Sequence, residues 1–220
     1  MTALIDDNAA RAMDRVYKRQ RYIYNVTRKY YLLGRDRLLR ELQPSMGDRV
    51  LEVGCGTGRN LVSAARRFPQ ARFFGFDISR EMLESAGAAL VRADLAQTIR
   101  IAQADATSFD AASAFDGRSF ERVYISYTLS MIPDWQAALR AAAKAVSPGG
   151  SLHIVDFGQQ DRLPRWFHRA LHAWLARFHV HPSPAFREAM EALALEEGFR
   201  LVWRDLFRGY AIYAVLKREP

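Results

Sequence analysis

Val50-Leu51-Glu52-Val53-Gly54-Cys55-Gly56-Thr57-Gly58-Arg59-Asn60 is the stretch on which the fold turns. Four residues of strand character run into three glycines at alternate positions, and a helical pattern follows. Glycines at the end of a first strand let the backbone turn sharply and bring a ligand close to the main chain. The spacing is Gly-x-Gly-x-Gly, which differs from the Gly-x-Gly-x-x-Gly of dinucleotide-binding loops. Glu52 stands just ahead of the glycines, where it would repel a diphosphate. It suits a ligand with an ammonium and a sulfonium and no phosphate, because opposite charges attract across a partly dry pocket. Gly54, Cys55, Gly56, Gly58 and Asn60 are therefore candidate walls of a cofactor site, with Glu52 as its first acid.

Outward from this loop the pattern alternates. Strands are expected at Arg49–Val53, Arg72–Asp77, Ile99–Gln103, Arg122–Ser126 and Ser151–Asp156. Helices are expected near Asn60–Phe68, Arg80–Ala93 and 134–146, the last closed by Pro148-Gly149-Gly150. Repeated strand–helix units imply a parallel sheet covered by helices on both faces. A helix near 184–197 leads to two further strands, Arg200–Phe207 and Tyr210–Lys217. Their connection is so short that the pair must be antiparallel. Ahead of the loop, residues 8–42 read as helical, with apolar steps of three and four residues and a break at Gly34.

Two more acids close successive strands. Asp77 ends Phe73-Phe74-Gly75-Phe76-Asp77, where a carboxylate can accept from both hydroxyls of a ribose. Asp105 follows the third strand and can accept from an adenine amino group. Ile78, Met82 and Ala106 are placed to pack on the base, and Ser126 ends the fourth strand beside the loop. Each acid alone could be an ordinary helix cap. Three at successive strand ends around a glycine loop form a constellation that chance rarely supplies.

The bulk composition agrees with one globular domain. Of 220 residues, 50% are hydrophobic and 25% charged, and no apolar run approaches the roughly 20 residues that span a bilayer. The N-terminus reads as having no secretory signal, and Cys55, the single cysteine, fits a reducing compartment. A cytoplasmic location is expected. The formal charge is +8. Residues 1–49 hold eleven basic and six acidic residues, a concentration that favours an anionic partner and equally fits a solvated helix face.

These segments resemble class I S-adenosylmethionine-dependent methyltransferases over residues 45–217. The flanks are narrower: Tyr22-Ile23-Tyr24-Asn25-Val26-Thr27-Arg28-Lys29-Tyr30-Tyr31-Leu32-Leu33-Gly34-Arg35-Asp36 and Ser126-Tyr127-Thr128-Leu129-Ser130-Met131-Ile132-Pro133-Asp134-Trp135 are similar to the diacylglyceryl-homoserine N-methyltransferases of betaine-lipid synthesis. The chain departs from that pattern at Asn25, where the family carries aspartate. The resemblance implies a Rossmann-like α/β fold: a mostly parallel seven-stranded sheet ending in an antiparallel hairpin, with helices on both faces and an N-terminal helical lid. Its parts would be a lid at 1–45, a cofactor-binding core at 46–156, substrate-cap helices at 157–198 and the hairpin at 199–220. S-adenosyl-L-methionine is the implied cofactor, with Tyr24 and Arg35 as lid contacts and Arg35 paired with the methionyl carboxylate. A lipid amine is the implied substrate.

Methyl transfer needs alignment and a deprotonated amine. Tyr24, Tyr31, Tyr127 and Ser130 are the candidates near the acceptor. Five of the nine tyrosines lie between positions 17 and 31, and electron-rich rings there would favour cationic methylated intermediates by about 0.5–2 kcal/mol per contact. His153 lies inside a strand and reads as a core histidine. In Leu163–Val180, Phe167, Leu171, Trp174 and Phe178 make an apolar stripe flanked by Arg165, Arg169, Arg177, His168 and His172. The stripe suits a helix lying transiently on an anionic membrane, at the inner face of the cytoplasmic membrane, and equally an ordinary cap helix. No metal is expected: no cysteine lies near His168, His172, His179 and His181. Phosphatidylethanolamine is the alternative acceptor. RNA is a further alternative but not an expected partner, since the fourth strand lacks an Asn-Pro-Pro-Tyr motif and no RNA-binding module is attached.

Overall fold

The structure is a computed structural model that describes residues 32–110, 114–117, 119–178 and 180–219. Tyr24, Tyr31 and most of the expected lid lie outside the described residues. The elements in chain order are α1 (Arg35–Glu41), β1 (Arg49–Val53), α2 (Arg59–Arg67), β2 (Arg72–Asp77), α3 (Arg80–Arg92), β3 (Ile99–Gln103) and β4 (Phe120–Ser126). A 3-10 turn (Leu129–Met131), α4 (Trp135–Lys144), β5 (Val146–Phe157), α5 (Arg165–Ala176), α6 (Phe186–Glu197), β6 (Phe199–Leu206) and β7 (Ala211–Arg218) follow. They build one seven-stranded sheet in the order β3-β2-β1-β4-β5-β7-β6. β1 to β5 are parallel, and β7 runs antiparallel between β5 and β6. This is the architecture expected from the alternating pattern and the terminal hairpin.

Side chains alternate across each strand and so feed two cores. Leu51 and Val53 of β1, with Phe74, Phe76, Val123 and Ile125, face α4 and α6. Val50, Phe73, Tyr124 and Val155 face α1, α2, α3 and α5. Phe120 is fully buried at the start of β4. Its ring meets Phe74 edge-on at 5.4 Å and Phe115 at 6.2 Å, an arrangement that suits the ring quadrupoles. The Arg49 guanidinium covers the Phe74 ring at 4.3 Å and closes this end of the core.

Two boundaries differ from expectation for one reason. β4 begins at Phe120 rather than Arg122, and β5 begins at Val146, ahead of Pro148-Gly149-Gly150. Phe120 pairs with Val146, and the next register pair is Arg122 with Ser151, so residues 147–150 bulge out of the ladder. A proline and two glycines read as the end of an element, yet a bulge accommodates the missing donor and lets pairing resume.

Gly34 is the residue after which α1 starts; the helical reading of residues 8–31 lies outside the described residues. Gly34 sits at φ 91° ahead of α1, and a Cβ there would press on Leu206 and Val155 at 2.9 and 3.1 Å. The backbone of α1 is thereby held against the C-terminal ends of β5 and β6. Among the described residues, no helix is long and apolar enough to cross a membrane.

Phe120→Ala should cost about 3–5 kcal/mol of unfolding free energy, because it empties a site shared by three rings. Urea denaturation reads this directly, and a loss under about 1 kcal/mol would mean that the aromatic cluster does not carry this end of the sheet.

Candidate active site

Parallel strands bring their C-terminal ends to one edge, and two adjoining cavities open there. Gly54 and Gly56 belong to both. The first, about 260 Å³, is walled by Phe76, Asp77, Ile78, Asp105, Ala106 and, after β4, Thr128 and Met131 to Asp134. The second, about 240 Å³, is walled by Arg35, Glu52, Cys55, Asn60, Ser126 and neighbouring loop residues. One cavity is thus mostly apolar with three carboxylates, Asp77, Asp105 and Asp134, and the other is polar with charges of both signs.

The glycine loop creates the passage between them. Gly54, Gly56 and Gly58 all have positive φ, at 70°, 53° and 74°, a conformation that side chains other than glycine resist. A Cβ on Gly54 would collide with Thr128, and one on Gly58 would press on Ala86 of α3 at 3.1 Å. The loop is tied to the second strand as well. Asp77 accepts from the Gly56 N–H at 2.8 Å and from the Ser79 N–H at 3.0 Å. Asp105 accepts from both the N–H and the hydroxyl of Thr107 at 2.8 Å. Both carboxylates are therefore oriented before any ligand arrives.

Glu52 is almost wholly shielded from water. The Asn60 amide donates to one of its oxygens at 2.8 Å and the Tyr124 hydroxyl to the other at 3.1 Å. Burial pushes its carboxyl up to about 8, against the lowering effect of those two bonds. Such a group gains most from a cationic ligand group beside it. Ser126 adds a second sign of an intended ligand: its hydroxyl is buried and has no hydrogen-bond partner among the described residues. The charges of this cavity could hold an amino-acid moiety, an ammonium at Glu52 and a carboxylate at Arg35. The other could hold a nucleoside, a ribose at Asp77 and a base at Asp105, Ile78 and Ala106.

Of the residues named from sequence, Arg35, Glu52, Gly54, Cys55, Gly56, Asn60, Asp77, Ile78, Asp105, Ala106 and Ser126 line these cavities. Gly58 and Met82 do not. Gly58 shapes the loop, and Met82 is buried against Met131 and Phe178 behind the wall. Tyr127 and Ser130 do not reach either cavity. The Tyr127 hydroxyl donates to the Leu33 carbonyl, its ring packs on Phe157 at 4.7 Å, and burial pushes it well above the usual tyrosine range. Ser130 is buried in the 3-10 turn, its N–H donating to Asp156 at 3.2 Å. Asp156, whose carboxyl burial lifts to about 6, thus ties that turn to β5. His153 is the core histidine expected, between Ser151 and Tyr213 at 2.9 Å each, with burial holding it down to about 3.

Sequence reading missed Tyr124 and Thr128. Tyr124 could have been found from alternation, since it flanks Glu52 in the β1–β4 register. Nothing in the sequence marks Thr128 as the residue that confines Gly54.

A family model described as a methyltransferase domain matches residues 19–203. The chain belongs to that family. The O-methyltransferase resE of Aspergillus sclerotiorum is 30% identical over 175 residues, covering 76% of this chain and 62% of that one. The demethylmenaquinone methyltransferase of Listeria monocytogenes is 27% identical over 139 residues, 63% of this chain and 56% of that one. This chain thus spans about 60% of the length of these relatives. Among solved structures, phosphoethanolamine N-methyltransferase 2 of Haemonchus contortus, in complex with S-adenosyl-L-methionine, superposes with a TM-score of 0.67 at 16% identity. The match covers 85% of this chain and 52% of that one, and at that identity it speaks for the fold. S-adenosyl-L-methionine is the cofactor, and when bound it supplies a methyl group on a sulfonium leaving group.

Asp77→Ala should weaken cofactor binding more than about tenfold, through the lost ribose contacts and a loosened Gly56 turn; calorimetry showing unchanged affinity would remove this placement of the ribose. Glu52 makes a pH prediction. Its native value of about 8 lies above its ordinary 4.5, so the native state keeps a proton that the unfolded chain releases, and the unliganded fold loses stability as pH rises through that window. An ammonium beside the carboxyl expels the proton, so cofactor affinity should rise from pH 6 to 8 with proton release. Glu52→Gln should flatten that rise. Calorimetry in two buffers of different ionisation enthalpy reads the proton count, and zero protons released at pH 7 would sink the pairing.

Proposed function

We propose that this chain is an N-methyltransferase of a membrane-lipid headgroup amine, acting on diacylglyceryl-homoserine to give its trimethylated betaine lipid. One observation carries the reading. The segment Ser126–Trp135, on which the resemblance to that family rests, contributes Thr128, Met131, Ile132, Pro133 and Asp134 to the wall of the larger cavity. Arg35, from the other resembling segment, is on the wall of the second cavity. The stretches that are most family-specific in sequence are thus the ones that meet the ligand space.

The chemistry asked of the protein is modest. Arg35 pairs with the carboxylate of the cofactor's amino-acid end, Glu52 faces its ammonium, and Asp77 and Asp105 orient the nucleoside. These contacts aim the methyl at a nucleophile brought in line, and proximity supplies most of the acceleration. The amine loses its proton before attack, and solvent can take it. Tyr24 and Tyr31 are the tyrosines proposed to meet the methylated ammonium. Tyr127 and Ser130 act one step back, holding the turn that bears Thr128 and Met131.

A second reading, transfer to a hydroxyl, is favoured by the O-methyltransferase names of relatives such as resE. It would call for a base beside the acceptor, and among the described residues no histidine lines either cavity. The amine reading makes no such demand.

A radiolabelled-methyl assay on diacylglyceryl-homoserine, phosphatidylethanolamine, a hydroxylated aromatic and bulk RNA tests the proposal. Label advancing to the trimethylated homoserine lipid is the expected outcome. Label confined to phosphatidylethanolamine would overturn the headgroup and keep the lipid amine. Label confined to the aromatic or to RNA would overturn the substrate class.

A further inference from the structure

The stripe on α5 does not face outward as a membrane-lying helix requires. Phe167, Leu171, Trp174 and Phe178 are half-buried against the core shared with α1, α2 and α3. The opposite face of α5 presents Arg165, Trp166 and Arg169, with Trp166 exposed to 71%. Periodicity revealed the stripe correctly and could not tell which body it packs on.

A second outward feature lies beside it. β6 and β7 are joined by Phe207–Tyr210, closed by the Tyr210 N–H donating to the Phe207 carbonyl at 3.2 Å. Phe207, Arg208 and Gly209 have φ values of 52°, 59° and 80°. Mirror-image hairpin turns of this kind select Asn-Gly or Gly because other side chains are strained there. Here two of the three positions hold a phenylalanine and an arginine, and Phe207 is exposed to 55%. Strain kept at an exposed tip points to a use for the side chains it displays.

Topology places the two features together. Ala211 pairs with Phe157, so the turn projects from the same edge of the sheet as the cofactor loop. Gln160 donates its N–H to the Gly209 carbonyl at 2.9 Å, and Phe167 meets Tyr210 at 6.4 Å. A Cβ on Gly34 would lie 4.0 Å from the Phe207 ring, which puts exposed Leu33 alongside. Among the described residues, three of the six exposed large apolar side chains, Leu33, Trp166 and Phe207, thus share this edge. Arg162, Arg165, Arg169 and Arg208 are exposed in these segments, against Asp36, Asp161 and Asp205 as the exposed acids near them in sequence.

We infer that the strained Phe207-Arg208 turn and Trp166 form the face that seats this enzyme on an anionic lipid leaflet. The inference rests on the lipid reading of the substrate and supplies its means of delivery. Aromatic rings enter the headgroup boundary while the arginines meet lipid phosphates, and both contributions scale with what each side chain buries or neutralises. The edge that meets the leaflet is the edge where the cavities open.

Sedimentation with vesicles of phosphatidylcholine containing about 30% phosphatidylglycerol, and no amine acceptor, tests it on the full chain. The unaltered protein should bind, less so as salt rises. F207N/R208N puts Asn-Gly at the turn centre. It should weaken binding about tenfold or more while raising Tm by roughly 2–6 °C, as left-handed strain is relieved. Binding within twofold of the unaltered protein would overturn the inference, as would failure of the unaltered protein to bind at all. Should the double variant unfold, W166A carries the same test at a solvated ring. Since these vesicles hold no acceptor, their result is independent of the methyl-transfer assay. Vesicle binding with label only in RNA or a hydroxylated aromatic would sink the substrate and leave this face standing.

Discussion

Glu52 is a carboxyl group in the middle of a sheet, and much of the site follows from keeping it there. A buried carboxyl must be hydrogen-bonded or neutral. Asn60 and Tyr124 supply the bonds, and each comes from a different element. Asn60 stands in the first turn of α2, so its reach to Glu52 ties the start of that helix to β1. Tyr124 is on β4, so its hydroxyl ties the central strand pair across the register that places Gly54 against Thr128. The acid that makes the pocket attractive to a cation therefore also sets the loop's geometry. Its replacement by an apolar residue would remove one constraint from three elements at once.

The core of the fold was legible because it is periodic. Alternating strands and helices, the three glycines and the acids at successive strand ends all take the places in the fold that the pattern implies. What was not legible depends on partners far away in sequence. Tyr127 and Ser130 follow a strand end facing the site, and from sequence they read as acceptor contacts. The structure turns both inward, Tyr127 at φ 57° toward the Leu33 carbonyl and Ser130 toward Asp156. Their sequence neighbours Thr128 and Met131 take the wall instead. A change of one residue in the direction of a turn decides which of two adjacent side chains meets the ligand, and no local propensity encodes that choice.

The helix α5 teaches the same lesson at larger scale. Its apolar residues recur at helical spacing, and that spacing is compatible with burial against a protein or a bilayer. The contacts with the second core settle the stripe for the protein. The outward face was harder to notice because it holds one tryptophan among arginines, and the adjoining turn has no pattern at all: Phe207-Arg208-Gly209 reads as an ordinary loop until its backbone angles are known. Positive φ is a property of the fold, and only the structure shows that these residues bear it.

Charge is arranged by depth in this molecule. The chain is cationic overall at +8, yet its cofactor cavities are built around Glu52, Asp77 and Asp105. A uniformly basic protein would repel a ligand bearing an ammonium and a sulfonium. The carboxylates overcome this locally because their field acts across a partly dry space, whereas the surface arginines act through water and salt. Burial thus lets one chain keep carboxylates around a cationic cofactor within while its water-facing surface carries a net positive charge. Apart from Arg35 and Arg59 on the wall of the Glu52 cavity, the two signs are also kept apart along the edge of the sheet. The acids stand at the ends of β1, β2 and after β3, and the arginines cluster beyond β5. The boundary between them falls at β4 and its following turn, where Thr128 and Met131 stand, and a methyl group crossing from cofactor to acceptor would traverse it there.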